Sequence, residues 1–252
     1  MRSSLLARPV ALLALLPLCA AGRAGAAGLE ISPVTVSLSP GETSALISVR
    51  NAEASEVRLQ VTSMTWGETA EGEMKLAPTK DLVVFPALLV LKAGEQRSIR
   101  VGAGAGFGPV ERDYRIFVEE LPPAERSGAP NSVRVLSRIG IPVFLAPSRV
   151  ERRPVIEDLV AAQGRIGFAL RNRGTVHFRP AVLKIMAVDA GGKELFQHSW
   201  NPWYVLPGGE RRYQEPLPAA ICALVRKVTV EASDEEDHAK ATRETPDGAC
   251  AR

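Results

Sequence analysis

The sequence predicts an all-β protein built from two β-sandwich domains, and three observations lead to this prediction. Short runs with an apolar residue at every second position recur along the chain, as in 131-NSVRVLSRIGIPVFLAP-147, and this alternation is the period of a strand with one apolar face. Turn signals such as Pro40-Gly41, Ala93-Gly94 and Pro207-Gly208 separate these runs. No stretch of the sequence keeps a helical period over three turns. Many short strands between turns are typical of an antiparallel sandwich of immunoglobulin type.

Residues 1–26 are a predicted signal peptide that is cleaved on export. Arg2 and Arg8 precede the apolar run 10-VALLALLPLCAA-21, and the small residues 24-AGA-26 follow it. A basic start, a short apolar run and small residues at the cleavage site describe a secretory signal. The run is shorter than the roughly 20 apolar residues that a membrane span needs, and no later segment is long and apolar enough. We therefore expect an exported mature chain that does not insert into the membrane.

The charge balance gives no reason to expect nucleic acid as a partner. The full chain has 31 Lys and Arg against 28 Asp and Glu. Cleavage removes Arg2, Arg8 and Arg23 but no acidic residue, so the mature chain is close to neutral. A neutral chain lacks the basic surface that binds phosphate backbones.

Two cysteines, Cys222 and Cys250, remain after cleavage. In an exported protein a pair of cysteines is interpreted as one disulfide, with two free thiols as the alternative. Cys19 lies in the signal segment, where it would be the lipid attachment site of a lipoprotein. The preceding residues Pro17 and Leu18 disfavour that processing, which requires small side chains there.

An internal repeat predicts two copies of one folding unit. The stretches 46-LISVRNAEASEVRLQVTSM-64 and 166-IGFALRNRGTVHFRPAVLKI-185 both place Arg-Asn after an apolar strand and before a polar turn. The stretches 89-LVLKAGEQRSIRV-101 and 204-YVLPGGERRYQEP-216 both contain a glycine turn followed by Glu. Two features in the same order at similar spacing indicate a duplication; the alternative is chance similarity of turn chemistry.

The repeat gives the domain limits. We expect an N-terminal immunoglobulin-like domain over residues 28–147 and a C-terminal one over residues 155–252, joined by the short linker 146-APSRVERRPV-155. The tail 233-SDEEDHAKATRETPDGACAR-252 is polar. We expect it to be disordered except where Cys250 holds it to the strand that carries Cys222.

No constellation of residues in the sequence predicts catalysis, a metal site or a cofactor. His177, His198 and His238 lack a second ligand at metal-binding spacing, and we interpret them as surface or turn residues. The glycine-rich run 101-VGAGAGFGP-109 lacks the Gly-Lys-Ser/Thr of a phosphate loop. Glu119 and Glu120 are adjacent, so they would point to opposite faces of a strand and cannot form a catalytic pair. We expect a non-enzymatic protein without cofactor or metal.

One region resembles a known family. The run 113-DYRIFVEELPP-123, a polar loop, Asn131, an alternating strand and 142-PVFLAP-147 are similar to the F and G strands of periplasmic pilus chaperones. These proteins form the PapD-like family of the chaperone–usher pathway. The runs 31-ISPVTVSLSPGETSALISVRN-51 and 82-LVVFPALLVLKAGEQRSIRV-101 are similar to other strands of the same domain. The resemblance covers the first domain and reaches the second mainly through Asn172 and the turn that begins at Leu206.

The resemblance implies a function. Pilus subunits in such systems lack their last strand, and the chaperone lends its own G strand to the open groove by β-strand addition. The chaperone works in the periplasm without ATP and then delivers the subunit to an outer-membrane usher. The lent row in this chain would be Val133, Val135, Ser137, Ile139 and Ile141. The alternative is that this row lines the domain's own core, in a structural or adhesive envelope module without chaperone activity.

The anchor for the subunit departs from the family pattern. The best-known members hold the subunit's C-terminal carboxylate with an arginine on the first strand and a lysine late in the G strand. The matching positions in this chain are Thr35 and Pro142, and neither is charged. Arg115 and Arg138, on the adjacent F and G strands, are the candidate replacements because guanidinium groups bind carboxylates well. The resemblance therefore implies a non-classical or archaic-type member.

Overall fold

The structure, a computed structural model, describes residues 28–122 and 135–250. Within these ranges the chain is almost entirely β, with one short helix, α1 (Ala219–Cys222). The all-β prediction with two immunoglobulin-like sandwiches is confirmed. No helix among the described residues has the length and apolar character needed to cross a membrane.

The N-terminal sandwich is formed by two sheets. The strands of the first, in spatial order, are β1 (Leu29–Ser32), β3 (Ser44–Asn51), β8 (Gln96–Ala103) and β6 (Leu82–Phe85). Those of the second are β2 (Val36–Leu38), β10 (Arg138–Leu145), β9 (Arg112–Leu121), β4 (Val57–Glu68) and β5 (Met74–Pro78), with β7 (Leu88–Leu91) also paired to β4. Alternate side chains of both sheets fill one core, which includes Ile47, Leu59, Ile99 and Tyr114. The Tyr114 hydroxyl donates to Asp81 at 2.8 Å.

The C-terminal sandwich repeats this layout with a separate core. Its first sheet contains β11 (Pro154–Ala162), β12 (Arg165–Asn172) and β15 (Glu210–Pro216). Its second sheet contains β14 (Glu194–Trp200), β13 (Val182–Val188), β16 (Lys227–Ser233) and β17 (His238–Glu244). Phe168, Leu170, Ile185 and Val230 are among the buried residues between the two sheets.

The repeat seen in the sequence is also a structural repeat. The Asn51 side chain donates to the carbonyls of Ser55, Leu91 and Lys92, and its Oδ1 accepts from the Glu53 N–H. The Asn172 side chain donates to Val176 and Val205, and its Oδ1 accepts from the Gly174 N–H. Both asparagines are buried, so these hydrogen bonds tie a turn to a neighbouring strand at the same place in each domain.

The polar tail is more ordered than its composition indicated. β17 pairs with β16 along its whole length, and Asp234 closes the hairpin by accepting from the backbone of Glu236 and Asp237. The expectation of a disordered tail is therefore wrong for residues 233–250, because a polar strand is stable when its backbone pairs with a core strand. The disulfide between Cys222 and Cys250 is present, with a Cα separation of 5.2 Å.

Candidate binding edge and interdomain cleft

β10 presents an open backbone edge. It pairs with β9 along its whole length, but β2 pairs with it only from Val143 to Leu145. Within the described ranges, residues 138–142 therefore have a neighbouring strand on one side only. An open edge of this kind is a template for pairing with another chain.

The orientation of the backbone along β10 explains why a proline, which has no N–H to donate, is tolerated at position 142 within the strand. The Ser137 carbonyl accepts from the Glu120 N–H at 2.9 Å. Because backbone groups alternate between the two edges of a strand, Arg138 and Gly140 direct theirs to the open side. Pro142 belongs to the same outward set, so its missing N–H removes no hydrogen bond to β9.

The structure divides the predicted lent row. Val133 lies outside the described residues. Val135 is 84% exposed, Ser137 and Ile139 are half-buried, and Ile141 is 1% exposed. Ile141 is part of the N-terminal core and Ile139 packs against it. Ile141 is therefore committed to this chain's own core, as the alternative interpretation held for the whole row, and exposed apolar surface remains at Val135.

Arg115 lies in the cleft between the two domains. Tyr114 and Ile116 point into the N-terminal core, so Arg115 projects from the opposite face of the sheet. Its cross-strand partner on β10 is Pro142. On the far side of β10, Thr35 directly precedes Val36, which pairs with Val143. Arg115 thus lies in one cross-strand row with Pro142 and Thr35, the two neutral positions where the family pattern has charged residues. It lies one strand further along the sheet than Pro142.

Two tryptophans enclose the Arg115 guanidinium. Its Cζ lies 4.2 Å from the ring centroid of Trp66 and 5.3 Å from that of Trp203, which belongs to the C-terminal domain. The residue is 6% exposed, and Nε and Nη2 have no hydrogen-bond partner among the described residues. Burial lowers the pKa of Arg115 below its ordinary value, and nearby Glu68 opposes this shift. An arginine nevertheless stays protonated, so the cleft contains a buried positive charge with free donors.

Arg138 does not join Arg115. It pairs with Glu119 at 3.5 Å and lies over the Phe117 ring, with Cζ 4.2 Å from the centroid. Its side chain is 51% exposed. Arg138 lies four positions before Pro142, the cross-strand partner of Arg115. Four positions correspond to about 13 Å along a strand. The two candidate anchor residues are therefore separate sites rather than one clamp.

The sequence interpretation missed the residues that join the two domains. Trp66 and Phe144 pack with Tyr204 and Leu206 in a small buried cluster. The tryptophan and tyrosine rings meet edge to face at 5.4 Å. The chain has only three tryptophans, and such large, rare side chains are candidates for contacts of this kind. The sequence does not reveal, however, which domain a tryptophan ring faces.

An ion pair also crosses the cleft. Glu68 accepts from Arg211 at 3.0 Å, and the two side chains are 6% and 14% exposed. Burial raises the pKa of Glu68, while Arg211, Arg115 and the Trp203 indole act in the opposite direction. Beside this pair, the Arg212 N–H donates to the Ala70 carbonyl at 3.0 Å. The β4–β5 hairpin is thereby joined to β15.

His177 is half-buried and belongs to a polar cluster with the buried Glu111. Its backbone N–H and Nδ1 contact Glu111 Oε1 at 2.7 and 2.8 Å, and its ring stacks on Phe144 at 3.7 Å. Asp113 lies beside Glu111. Burial, together with the charge and hydrogen bond of Glu111, raises the pKa of Asp113 to about 9. Asp113 is therefore neutral at pH 7.

Three comparisons place this architecture among known proteins. A family model described as the pili and flagellar-assembly chaperone, PapD N-terminal domain, matches residues 28–151. The sequence matches no curated protein.

Several solved structures have the same fold. A chain of the CsuC–CsuE chaperone–tip adhesion subunit pre-assembly complex, from the archaic chaperone-usher Csu pili of Acinetobacter baumannii, has a TM-score of 0.60 at 17% identity over 86% of this chain and 98% of that one. The E. coli chaperone DraB has a TM-score of 0.53 at 20% identity, covering 87% and 96% of the two chains. A chain from the Salmonella enterica SafA pilin–SafB chaperone complex has a TM-score of 0.54 at 16% identity, covering 86% and 96%.

Proposed function

The N-terminal domain belongs to the PapD family of pili and flagellar-assembly chaperones, and from this premise we propose that the protein is a periplasmic chaperone that captures pilus subunits by lending them its β10 edge. It delivers the captured subunits to an outer-membrane usher and works without ATP. The solved chaperone complexes with a tip adhesion subunit and with a pilin support this class of partner. The predicted signal peptide, which lies outside the described residues, supports the periplasm as its location.

The open edge of β10 is the observation that carries the proposal. Residues 138–142 offer unpaired backbone groups, and Val135 extends an apolar row beyond the part that the domain itself buries. A subunit strand that pairs with this edge would gain ladder hydrogen bonds and would bury Val135. Burial of one valine contributes roughly 1.5–3 kcal/mol. With Val133, the row supplies enough energy to hold a subunit while leaving it displaceable.

Arg115 is the proposed anchor for the subunit's C-terminal carboxylate. Its position opposite Pro142 places it in the row where the family pattern has its charged residues. Nε and Nη2 are the two donors that bind a carboxylate side by side, and neither has a partner among the described residues. Arg138, paired with Glu119 at the exposed end of the edge, contributes to the rim instead.

Co-expression with a pilin-like subunit encoded near this gene tests the proposal. The double variant Val133→Glu/Val135→Glu should abolish the soluble complex on size-exclusion chromatography, because charged side chains cannot enter an apolar groove. The matched control is Val160→Glu, which changes a 48%-exposed valine of the C-terminal domain. Thermal melting of each variant alone checks that the fold is intact.

The outcomes separate the alternatives. A complex that survives the double change, from a folded variant, refutes strand lending by this row. If the unaltered protein forms no complex with any such subunit, the structural or adhesive module is the better explanation.

A further inference from the structure

In the part of the chain that the structure describes, the buried side-chain polar atoms without a hydrogen-bond partner all lie in the interdomain cleft. Among the described residues they are Trp66 Nε1, Asp113 Oδ1, and Nε and Nη2 of Arg115. β4 and β9 pair with Met64 opposite Arg115 and Thr65 opposite Tyr114, so the next row holds Trp66 and Asp113. These atoms therefore belong to two adjacent rows on the cleft face of one sheet. Native proteins pair nearly all such atoms, and a local concentration of unpaired ones requires an explanation.

The chemistry of the group indicates the class of ligand. Three of the four atoms are N–H donors, and two of these belong to a cation. Neither nearby acidic group gives these donors a hydrogen bond: Asp113 is neutral at pH 7, and Glu68, whose charge acts on Arg115, is hydrogen-bonded to Arg211. A small anion with two acceptor oxygens satisfies this arrangement. The Arg115 Cζ lies 4.2 Å from the centroid of the Trp66 ring. Two hydrogen bonds of about 2.9 Å to the two oxygens of one carboxylate can reach donors roughly 7 Å apart, which is a span long enough for a guanidinium over an indole ring and the N–H of that ring.

The surroundings of the donors also indicate how a ligand reaches them. Trp66 is 4% exposed and Arg115 is 6% exposed. Trp203, on the segment between β14 and β15, covers the guanidinium from the C-terminal domain and is itself 40% exposed. Of the three residues, Trp203 is the most exposed and lies on an irregular segment, so its displacement loses the least packing. This displacement also releases the contact of the Trp203 indole with Glu68.

We propose that the Trp66 indole N–H and the Arg115 guanidinium bind one carboxylate together, beneath Trp203 as a movable cover. The inference rests on the proposed function in taking Arg115 as the subunit anchor. It adds a second binding residue, Trp66, and a gating residue, Trp203, to that site. Trp66 contributes both the ring that the guanidinium lies over and a hydrogen bond to the ligand.

Titration of the purified full-length protein with sodium acetate tests the site without any subunit. The indole N–H signals of the three tryptophans are followed by ¹H–¹⁵N NMR at pH 7.5, and Trp66→Phe assigns the Trp66 signal. Acetate should shift this signal in a saturable manner, whereas acetamide and sodium chloride at the same concentration should not. Arg115→Gln should abolish the shift. The Trp200 signal, from β14 in the C-terminal domain, is the internal control and should stay constant.

A second arm measures subunit affinity by biolayer interferometry. Trp66→Phe keeps an aromatic ring over Arg115 but removes the donor, so it should weaken capture about tenfold or more. Trp203→Ala should raise the association rate because the cover is lost. A Trp66 signal that does not respond to acetate, or that responds equally to acetamide, overturns the inference even when subunits are still captured. Saturable acetate binding without capture of any subunit would instead keep the carboxylate site and refute the proposed function.

Discussion

Replacing Asp113 with asparagine should change how the stability of the protein depends on pH. In an unfolded chain an aspartate has a pKa near 3.9, whereas in the folded protein burial, and then Glu111, raise the pKa of Asp113 to about 9. Between these two values the folded protein holds a proton that the unfolded chain has released. The free energy of unfolding therefore falls as pH rises, by about 1.4 kcal/mol per pH unit for this group. Below pH 4 and above pH 9 the contribution is constant.

The Asp113→Asn variant would carry a side chain of nearly the same shape as the protonated acid, but one that does not ionise. The variant should match the unaltered protein near pH 4 and become progressively more stable than it as pH rises. From pH 6 to pH 8 the difference should grow by about 2.7 kcal/mol, which corresponds to roughly 5–11 °C in melting temperature for a protein of this size. Urea unfolding at each pH unit from 4 to 10 gives the free energies directly.

The quantity to compare is the difference in the free energy of unfolding between the variant and the unaltered protein at each pH, because the other carboxyl groups titrate in both proteins. Asp247→Asn, at an exposed position, is the matched control for the loss of one carboxyl group. A difference between Asp113→Asn and the unaltered protein that stays constant from pH 5 to pH 9 would show that Asp113 is ionised in the folded state. The account of the cleft given above, in which a neutral Asp113 leaves Arg115 available to an anion, would then fail.

Three further predictions concern the anchor, the repeat and the tail. Arg115→Ala should weaken subunit capture at least tenfold while Thr35→Ala has little effect, as measured by biolayer interferometry; equal effects would remove the displaced anchor. Asn172→Ala should destabilise the C-terminal domain by about 2–4 kcal/mol, because it leaves buried backbone groups unpaired, and urea unfolding followed by Trp200 fluorescence checks this. Reducing the Cys222–Cys250 disulfide, which closes a loop of 28 residues in sequence separation, should lower stability by about 3 kcal/mol; unchanged melting under reductant would contradict the prediction.

The strands of the N-terminal domain could be predicted from the sequence, for a physical reason. An alternating strand reveals which side chains share a face, and turn residues reveal where strands end. Alternation therefore predicts a strand around Arg115 and another around Ile139, while their adjacency was implied by the resemblance to the pilus chaperones; the structure pairs β9 with β10. The repeat of Asn51 and Asn172 was equally visible, because each asparagine caps a local turn that its neighbours in sequence define.

The cleft could not be predicted in the same way. Period-two alternation assigns Arg115 to one of two faces but does not say that another domain covers that face. The contacts that build the cleft join residues far apart in the chain, with a sequence separation of 143 for Glu68 and Arg211 and of 66 for Glu111 and His177. Neither pair has a local pattern, so a histidine such as His177 looks like a turn residue until the second domain is in place.

The proposed displacement of the anchor to Arg115 would make the anchor dependent on the second domain. An anchor on the open edge of β10 would be exposed whatever the C-terminal domain did, whereas Arg115 on β9 is held between Trp66 of one domain and Trp203 of the other. The ion pair Glu68–Arg211 and the hydrogen bond from the Arg212 N–H to the Ala70 carbonyl join the same two domains. A change in the relative position of the domains would therefore alter the access of a carboxylate to Arg115. In the proposed function, the lent strand and the anchor would therefore depend on different parts of the molecule: the strand on the N-terminal domain alone, and the anchor on the joint between both domains.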